Sequence, residues 1–397
     1  MNSADAPNRH REPHARPQPD WDPMAPAVLH DPLAAYDRMR HTMPVAYSLR
    51  WGWSVFRHHD VRHILLNPEG FSNAVSRHLA VPNGMNPPEH THYRRLVESC
   101  FLPERLARFE PSCRAKAAGL IRGLLRRGHI EFMKEAAFPF AAWAQATYLG
   151  WPASLQNRLI RWTQTQQEAT RSGDRRSLLQ LGMRFQQMVV GLLENRPHRA
   201  ASDPSDDLTS WLLQQTVHGR LLSYEELTSL LRNFTLGEIG TLSAALGIVV
   251  HFLATHSDLQ NHLRSRPSDL SYAIEEILRI HGPLHISRRI STRPVVLGGR
   301  PIGAAERITV VWIAANRDES VFPHPDEFRF GRNLESSLLW GAGIHVCPGA
   351  LLARLQIRLF LEELLSQSRE LALDSSRHVA QAVFPAGGFA SLPLTLR

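Results

Sequence analysis

Cysteine is scarce in this chain: Cys100, Cys113 and Cys347 are the only three among 397 residues. Three thiols cannot build a disulfide framework, and their spacing matches no zinc site. Long apolar runs are also missing. The strongest, AALGIVVHFLA (Ala244–Ala254), is shorter than the ~20 apolar residues of a membrane span, and His251 interrupts it. The opening MNSADAPNRHREPHARPQPDWDP has charge and proline but no apolar h-region, so neither a signal peptide nor a membrane anchor is expected. Residues 1–20 read as a disordered tail, because such a composition buries too little surface to order itself. The net charge of +8 comes mostly from arginine and is spread along the chain, without a dense basic run or interleaved aromatics. That pattern speaks against nucleic acid and for an acidic protein partner. Internal repeats and a compositional border between domains are both absent. The expectation is one large cytoplasmic domain over residues 21–397.

What is present is mostly helical periodicity. PVAYSLRWGWSVFRHHDVRHIL reads as two strands around an Arg-Trp-Gly turn, followed by a helix at His59–Leu66. Helical spacing then runs from Glu89 to about His218, broken most clearly at Pro197–Asp207. SYEE places Ser223 as N-cap and Glu226 three residues later, a capping box. The helix it opens runs proline-free to about His256, roughly 50 Å at 1.5 Å per residue. RPVVLGGRPIGAAERITVVWIAANRD reads as hairpin strands, and VFPAGGFASLPLTLR as a last β-hairpin. The predicted class is mainly α with a small β-rich lobe.

WGAGIHVCPG (Trp340–Gly349) sets one of the three cysteines in a glycine-rich run. The next residues, ALLARLQIRLFLEELL, are amphipathic at helical spacing, so Cys347 lies just before a helix N-terminus. The helix dipole and unpaired backbone N–H groups there favour a thiolate. Gly341, Gly343 and Gly349 let the backbone lie flat against a large group and donate hydrogen bonds to sulfur. Such a thiolate suits axial ligation of haem iron. A buried structural cysteine fits this segment equally well. A nucleophile would need a positioned base, and His345 is too near in sequence to supply that geometry alone.

The surrounding residues resemble the cytochrome P-450 family. Its cysteine loop reads Phe-x-x-Gly-x-[His/Arg]-x-Cys-x-Gly; here Trp340 replaces Phe, while Gly343, His345, Cys347 and Gly349 match. Four more segments follow the family's order. EEILR carries Glu276 and Arg279 of the Glu-x-x-Arg motif. NRDESVFPHPDEFRFGR supplies Arg332 as third member of an ion-pair network. MNPPEHTHYRRL resembles Asp-Pro-Pro-x-His-x-x-x-Arg, with Asn86 for Asp and with His90 and Arg94 toward a haem propionate. PLHISRR puts Arg289 at a second propionate position. The resemblance implies the P-450 fold, haem b (iron protoporphyrin IX) ligated by Cys347, and an oxidoreductase. That enzyme would insert one oxygen atom from O2 into a hydrophobic organic substrate, with electrons from a separate ferredoxin or flavodoxin. Arg354 and Arg358, after the cysteine, would help dock that acidic donor.

Two departures stand out. The family's [Ala/Gly]-Gly-x-[Asp/Glu]-Thr motif aligns with GEIGT, which leaves Thr241 in place but puts Gly240 at the acid position. Glu238, three residues before Thr241, either replaces the acid or turns away into a polar cluster with a partner such as Arg232. Gly240 brings in a peroxide-using or electron-independent haem-thiolate enzyme as the alternative; a non-enzymatic haem sensor or binding protein is a third reading, against which Thr241 argues. Second, the loop FSNAVSRHLAVPNGMNPPEHT before His90 is short. A short roof leaves the pocket open for a carrier-bound or peptidic substrate, or draws another segment inward. The resemblance assigns Leu236, Gly240, Thr241, Leu284, His285, Ile286, Gly388 and Phe389 to the pocket, with Ala80 and Val81 from the short loop.

Overall fold

The computed structural model describes residues 17–76, 78–196, 207–382 and 387–397. Its helical body is built from α1 (Glu89–Ser99), α2 (Pro103–Leu125), α3 (Phe138–Leu149), α4 (Gln156–Ser172), α5 (Arg175–Glu194), α6 (Tyr224–Thr255), α7 (Ser257–Ser265), α8 (Leu270–His281) and α9 (Ala350–Gln367). The 32 residues of α6 span about 48 Å. Its capping box is formed: Ser223 Oγ accepts from the Glu226 N–H at 3.2 Å, and Glu226 accepts from the Ser223 N–H at 2.7 Å. By length and composition α6 could cross a membrane, which the sequence reading did not anticipate. Yet 67% of its apolar window is buried inside the protein, so it is the core helix, with α3, α4, α5, α7, α8 and α9 packed around it.

The lobe is a five-stranded sheet ordered Val45–Ser48, Gly52–Val55, Arg307–Val311, Ile286–Ser291, Phe71–Ser72. Strand alternation sends Val45, Trp53, Val55, Ile308 and Val310 to one buried cluster and Ala46, Phe56, Ile286 and Val311, with Tyr36, to another. The tight turn at Gly52 has φ +72°, and a Cβ there would stand 2.4 Å from the Arg307 carbonyl oxygen. The helix that follows begins at His58, one residue earlier than expected.

Three expectations change at the edges. Of the proposed tail, residues 1–16 lie outside the described residues, but Asp20 is held: its N–H donates to Tyr47 O at 2.8 Å, and its carboxylate accepts from Tyr47 N–H and from Arg300. The tail boundary therefore falls before residue 20. Most of the break at Pro197–Asp207 lies outside the described residues; Asp207 itself caps Leu208–Leu212. The final segment is not one hairpin. Phe389–Ser391 pairs with Ala380–Gln381, whereas Pro393–Leu396 joins Leu371–Leu373 and His129–Glu131 in a separate sheet.

Candidate functional site: a cavity closed by the cysteine loop

A cavity of about 440 Å³ lies between α6 and the loop Trp340–Gly349, and Cys347 opens into it. The loop's shape requires glycine. At Gly343 φ is +68°, and a Cβ would sit 2.4 Å from the Leu65 carbonyl oxygen. The Cys347 N–H donates to Trp340 O at 2.7 Å, closing the loop on itself. Arg94 of α1 donates to Val346 O at 2.7 Å and so ties the loop to the helix carrying His90. Trp340, in place of the expected Phe, is tied down by its indole N–H: it donates to Glu275 at 2.9 Å beneath the Arg354 guanidinium, 4.8 Å above the ring.

The sequence reading expected the helix start to favour the thiolate. Burial instead pushes the thiol above its ordinary value, outweighing the Gly349 N–H and the charges of Arg94 and Arg354, which do act in the expected direction. A bound metal cation would supply the missing stabilisation. Among the described residues no cluster of three or more His, Cys, Asp or Glu could hold a bare ion; a metal carried by a larger organic group would ask only the sulfur of the protein.

The cavity rim fits such a group if it carries anionic arms. Arg289 is buried at 6% exposure and donates only to Ser287 Oγ (3.3 Å) and Arg288 O (2.8 Å), with no carboxylate partner among the described residues. Burial lowers its pKa to about 10. His90 Nε2 and Trp312 Nε1 are buried without partners among the described residues. The His90 ring meets the edge of His345 with centroids 4.5 Å apart, and burial pushes His345 down to about 3. A cation and two N–H-bearing rings without acceptors, set around a thiol, suit a porphyrin with two propionates.

Below the loop the expected network is assembled. Glu276 and Arg279 are both 0% exposed and form a bidentate pair at 2.7 and 2.9 Å. Arg332 Nε reaches Glu276 at 2.7 Å and also donates to the carbonyls of Pro323, His324 and Glu327. One carboxylate between two guanidiniums thus pins the meander 316–332 to α8.

On the α6 wall, Gly237, Glu238 and Thr241 line the cavity. The Thr241 hydroxyl donates to Gly237 O at 2.6 Å. Glu238 does not meet Arg232, whose guanidinium instead bonds Leu79 O at 2.8 Å. Its carboxylate accepts from Gln356 of α9 at 2.7 Å. Gln145 of α3, turned so that its nitrogen faces Glu238, donates to the other oxygen while its own oxygen accepts from Thr235 N–H and Oγ1, both at 3.2 Å. Burial without a cation raises Glu238 to about 7, a shift that the Gln356 bond opposes. Glu238 therefore belongs to a polar cluster of amides while still bordering the cavity.

Of the expected pocket residues, Thr241 and Leu284 line this cavity and the others do not. Leu236 and Ala80 line a second cavity. Gly240 is buried against α4, where a Cβ would meet Gln167 at 2.9 Å. His285 is buried edge-on to Tyr36 at 5.9 Å, and burial lowers it to about 4. Ile286 points into the lobe's core. Phe389 stacks on His251 at 4.4 Å, Gly388 packs on Ala244 and Ile248, and Val81 is fully buried. Gln145, Gln356, Ser287, Arg288 and Trp312 were missed. A glutamine on the apolar face of α9 was the one legible signal among them. Arg354 and Arg358 are paired locally, with Glu275 at 2.8 Å and Glu362 at 2.7 Å, and so are less available to a partner than expected.

A glycine loop presenting a thiol to a cavity edged by Arg289 and Trp312, which meet no carboxylate among the described residues, within a helical body and small β lobe, fits the haem-thiolate class. The comparisons agree. The family model described as Cytochrome P450 matches residues 270–376. The chain is 31% identical over 353 residues to Cytochrome P450 109 of Bacillus spizizenii, covering 85% of this chain and 84% of that one. It is 31% identical over 364 residues to Erythromycin C-12 hydroxylase of Saccharopolyspora erythraea, covering 87% and 90%. The solved structure of cytochrome P450 CYP109Q5 from Chondromyces apiculatus superposes with TM-score 0.83 at 28% identity, covering 94% of this chain and 97% of that one. This chain belongs to the cytochrome P450 family and is a monooxygenase of that family, an oxidoreductase whose family implies a haem cofactor.

Proposed function

We propose that the protein holds haem b in the Cys347 cavity and inserts one atom of O2 into a hydrophobic organic substrate, drawing electrons from a separate ferredoxin or flavodoxin. The observation that carries this reading is the placement around one cavity of the Cys347 thiol, of Arg289 with no carboxylate partner among the described residues, and of His345, whose ring meets that of His90. Cys347 would hold the iron through its sulfur, to which the Gly349 N–H donates. His90, Arg94, Arg289 and His345 form the rim that receives the propionates. When bound, the haem supplies the oxygen-activating chemistry. Thr241 commits its hydroxyl proton to Gly237 O, which leaves its oxygen lone pairs to accept from a guest in the cavity. Glu238, at about 7, holds or releases a proton near neutral pH one turn from Thr241, and Gln356 and Gln145 fix its two oxygens.

The relatives include an enzyme named as an erythromycin hydroxylase and one named as a vitamin D(3) hydroxylase. Bulky apolar substrates are the corresponding proposal for this chain, with Leu284, Leu242 and Leu352 on the cavity wall. A screen for compounds that shift the haem absorption spectrum, followed by turnover under isotopically labelled O2 with a ferredoxin and its reductase, tests the proposal. One labelled oxygen atom in the product supports it; conversion without label, or conversion with peroxide and none with O2 and the reductase system, contradicts it.

A further inference from the structure

Arg288 is a further cation on the Cys347 cavity, and it differs from Arg289 in where it points. Neighbours on the strand Ile286–Ser291 leave it on opposite sides. Arg289 turns back to Ser287 Oγ at 3.3 Å. Arg288 leaves toward Arg307 of the adjoining strand and Arg50 of the turn before Gly52–Val55, and it still borders the cavity. Its half-buried side chain donates no hydrogen bond and meets no carboxylate among the described residues.

The two neighbours add charge of the same sign. Arg307 spends one N–H on Arg50 O at 3.3 Å, and Arg50 donates to Arg171 O at the end of α4. Neither forms an ion pair among the described residues. The acids at that end of α4 are already engaged. Glu168 accepts from Arg171 at 2.8 Å, and Asp174 caps α5 by accepting from the Ser177 N–H at 3.0 Å and hydroxyl at 2.6 Å. Burial lowers the Arg288 pKa, the charges of Arg307 and Arg50 lower it further, and no opposite charge acts on it. Three guanidiniums from one sheet thus approach one another without an anion, and one of them borders the cavity. A guanidinium offers five N–H donors, and Arg288 has spent none among the described residues. Burying such a cation unpaired costs free energy that a bound anion would return.

We propose that Arg288, flanked by Arg50 and Arg307, is a specificity-determining residue that selects for the Cys347 cavity a substrate bearing a carboxylate. The planar carboxylate takes the guanidinium fork, and the apolar body lies along Leu284, Phe234 and Leu242. Arg50 and Arg307 draw the anion in without touching it. The propionates of a bound haem have Arg289, Arg94 and the His90–His345 rim, which leaves Arg288 to the guest. The inference rests on the reading of this cavity as the haem and substrate site, and it narrows that reading from apolar molecules to apolar molecules with an acid at one end.

The test is calorimetric titration of the haem-loaded protein near neutral pH with decanoate and with decan-1-ol, a pair that differs only in the head group. Decanoate should bind about tenfold more tightly. Arg288→Gln should erase that difference, leave the alcohol unchanged and leave haemin affinity unchanged. Equal binding of acid and alcohol, no binding of decanoate, or a difference that survives Arg288→Gln overturns the proposal. So does an Arg288→Gln protein that loses haemin affinity as Arg289→Gln does, because Arg288 would then serve a propionate. If Arg288→Gln does not fold, Arg288→Lys decides, since it keeps the charge and removes the fork. Decanoate should then weaken about threefold with the alcohol unchanged, and unchanged decanoate binding overturns the proposal. A normal thiolate–haem spectrum without acid preference defeats this inference alone, whereas absence of that spectrum defeats the reading of the cavity and this inference with it.

Discussion

Glu276 and Glu238 are both enclosed by this fold, but in opposite company. In the region under the cysteine loop, Glu276 lies between Arg279 and Arg332, a carboxylate matched by guanidiniums at 2.7 Å on either side. In the middle of α6, Glu238 lies between two amides, which satisfy its oxygens without supplying charge. The first arrangement fixes an ion; the second leaves a proton that can come and go near pH 7. One builds architecture and the other keeps an acid available beside the cavity, and only the presence or absence of a cation separates them.

Breaking the first arrangement should have the largest effect. Glu276→Ala leaves two guanidiniums facing each other in the core, and unfolding in urea should show a loss of roughly 3–5 kcal/mol, or no folded protein. Glu238→Gln should do the reverse, in a pH-dependent way. The folded carboxyl is raised from its ordinary 4.5 to about 7, so between those values the folded state holds a proton that the unfolded state has lost. The unaltered protein therefore loses stability as pH rises from 4.5 to 7 and is level above that. The variant lacks this slope and should gain, relative to wild type, up to about 3 kcal/mol at pH 8. A constant offset across that range would place Glu238 in an ordinary polar setting.

Arg289 extends the comparison to a cation without an anion. Arg289→Gln should stabilise the haem-free protein by about 1 kcal/mol, because it removes a poorly compensated buried charge. The same change should weaken haemin binding about tenfold in a titration. Weakened binding without the gain in stability would mean that Arg289 already has a counter-charge. The smallest effect belongs to Gln356→Leu. Removing a bond that favours the carboxylate should move Glu238's titration upward, read as a shift of the same stability profile.

The two regions also differ in how far the sequence announces them. Glu276 and Arg279 are one helical turn apart and sit in a recognisable motif, and Cys347 lies in a loop where positive φ demands glycine at 341 and 343 and the Leu65 carbonyl bars a side chain at 343. Such features are local, and the chain states them. The phase of α6 is not local. The helix is apolar nearly all round, so periodicity cannot say whether Leu236 and Gly240 or Gly237 and Glu238 meet the cavity. The second pair does. Ile286 failed for the matching reason in a strand: one residue of register decides the face, and Ser287 faces the cavity while Ile286 enters the lobe's core; His285, just before the strand, is buried against Tyr36 instead. Phe389 does stand at a hairpin, paired with Ala380–Gln381, but its ring lies against His251 and not in this cavity, a tertiary contact that the local pattern does not encode.

The central claim is that the Cys347 sulfur bonds the iron of a haem in this cavity. The direct measurement is the absorption spectrum of the reduced, carbon monoxide-bound protein, compared between wild type and Cys347→Ser at matched haem content. The expected result is the long-wavelength band of a thiolate-ligated haem in the wild type and its absence in the variant. The same spectrum from both proteins would contradict the account.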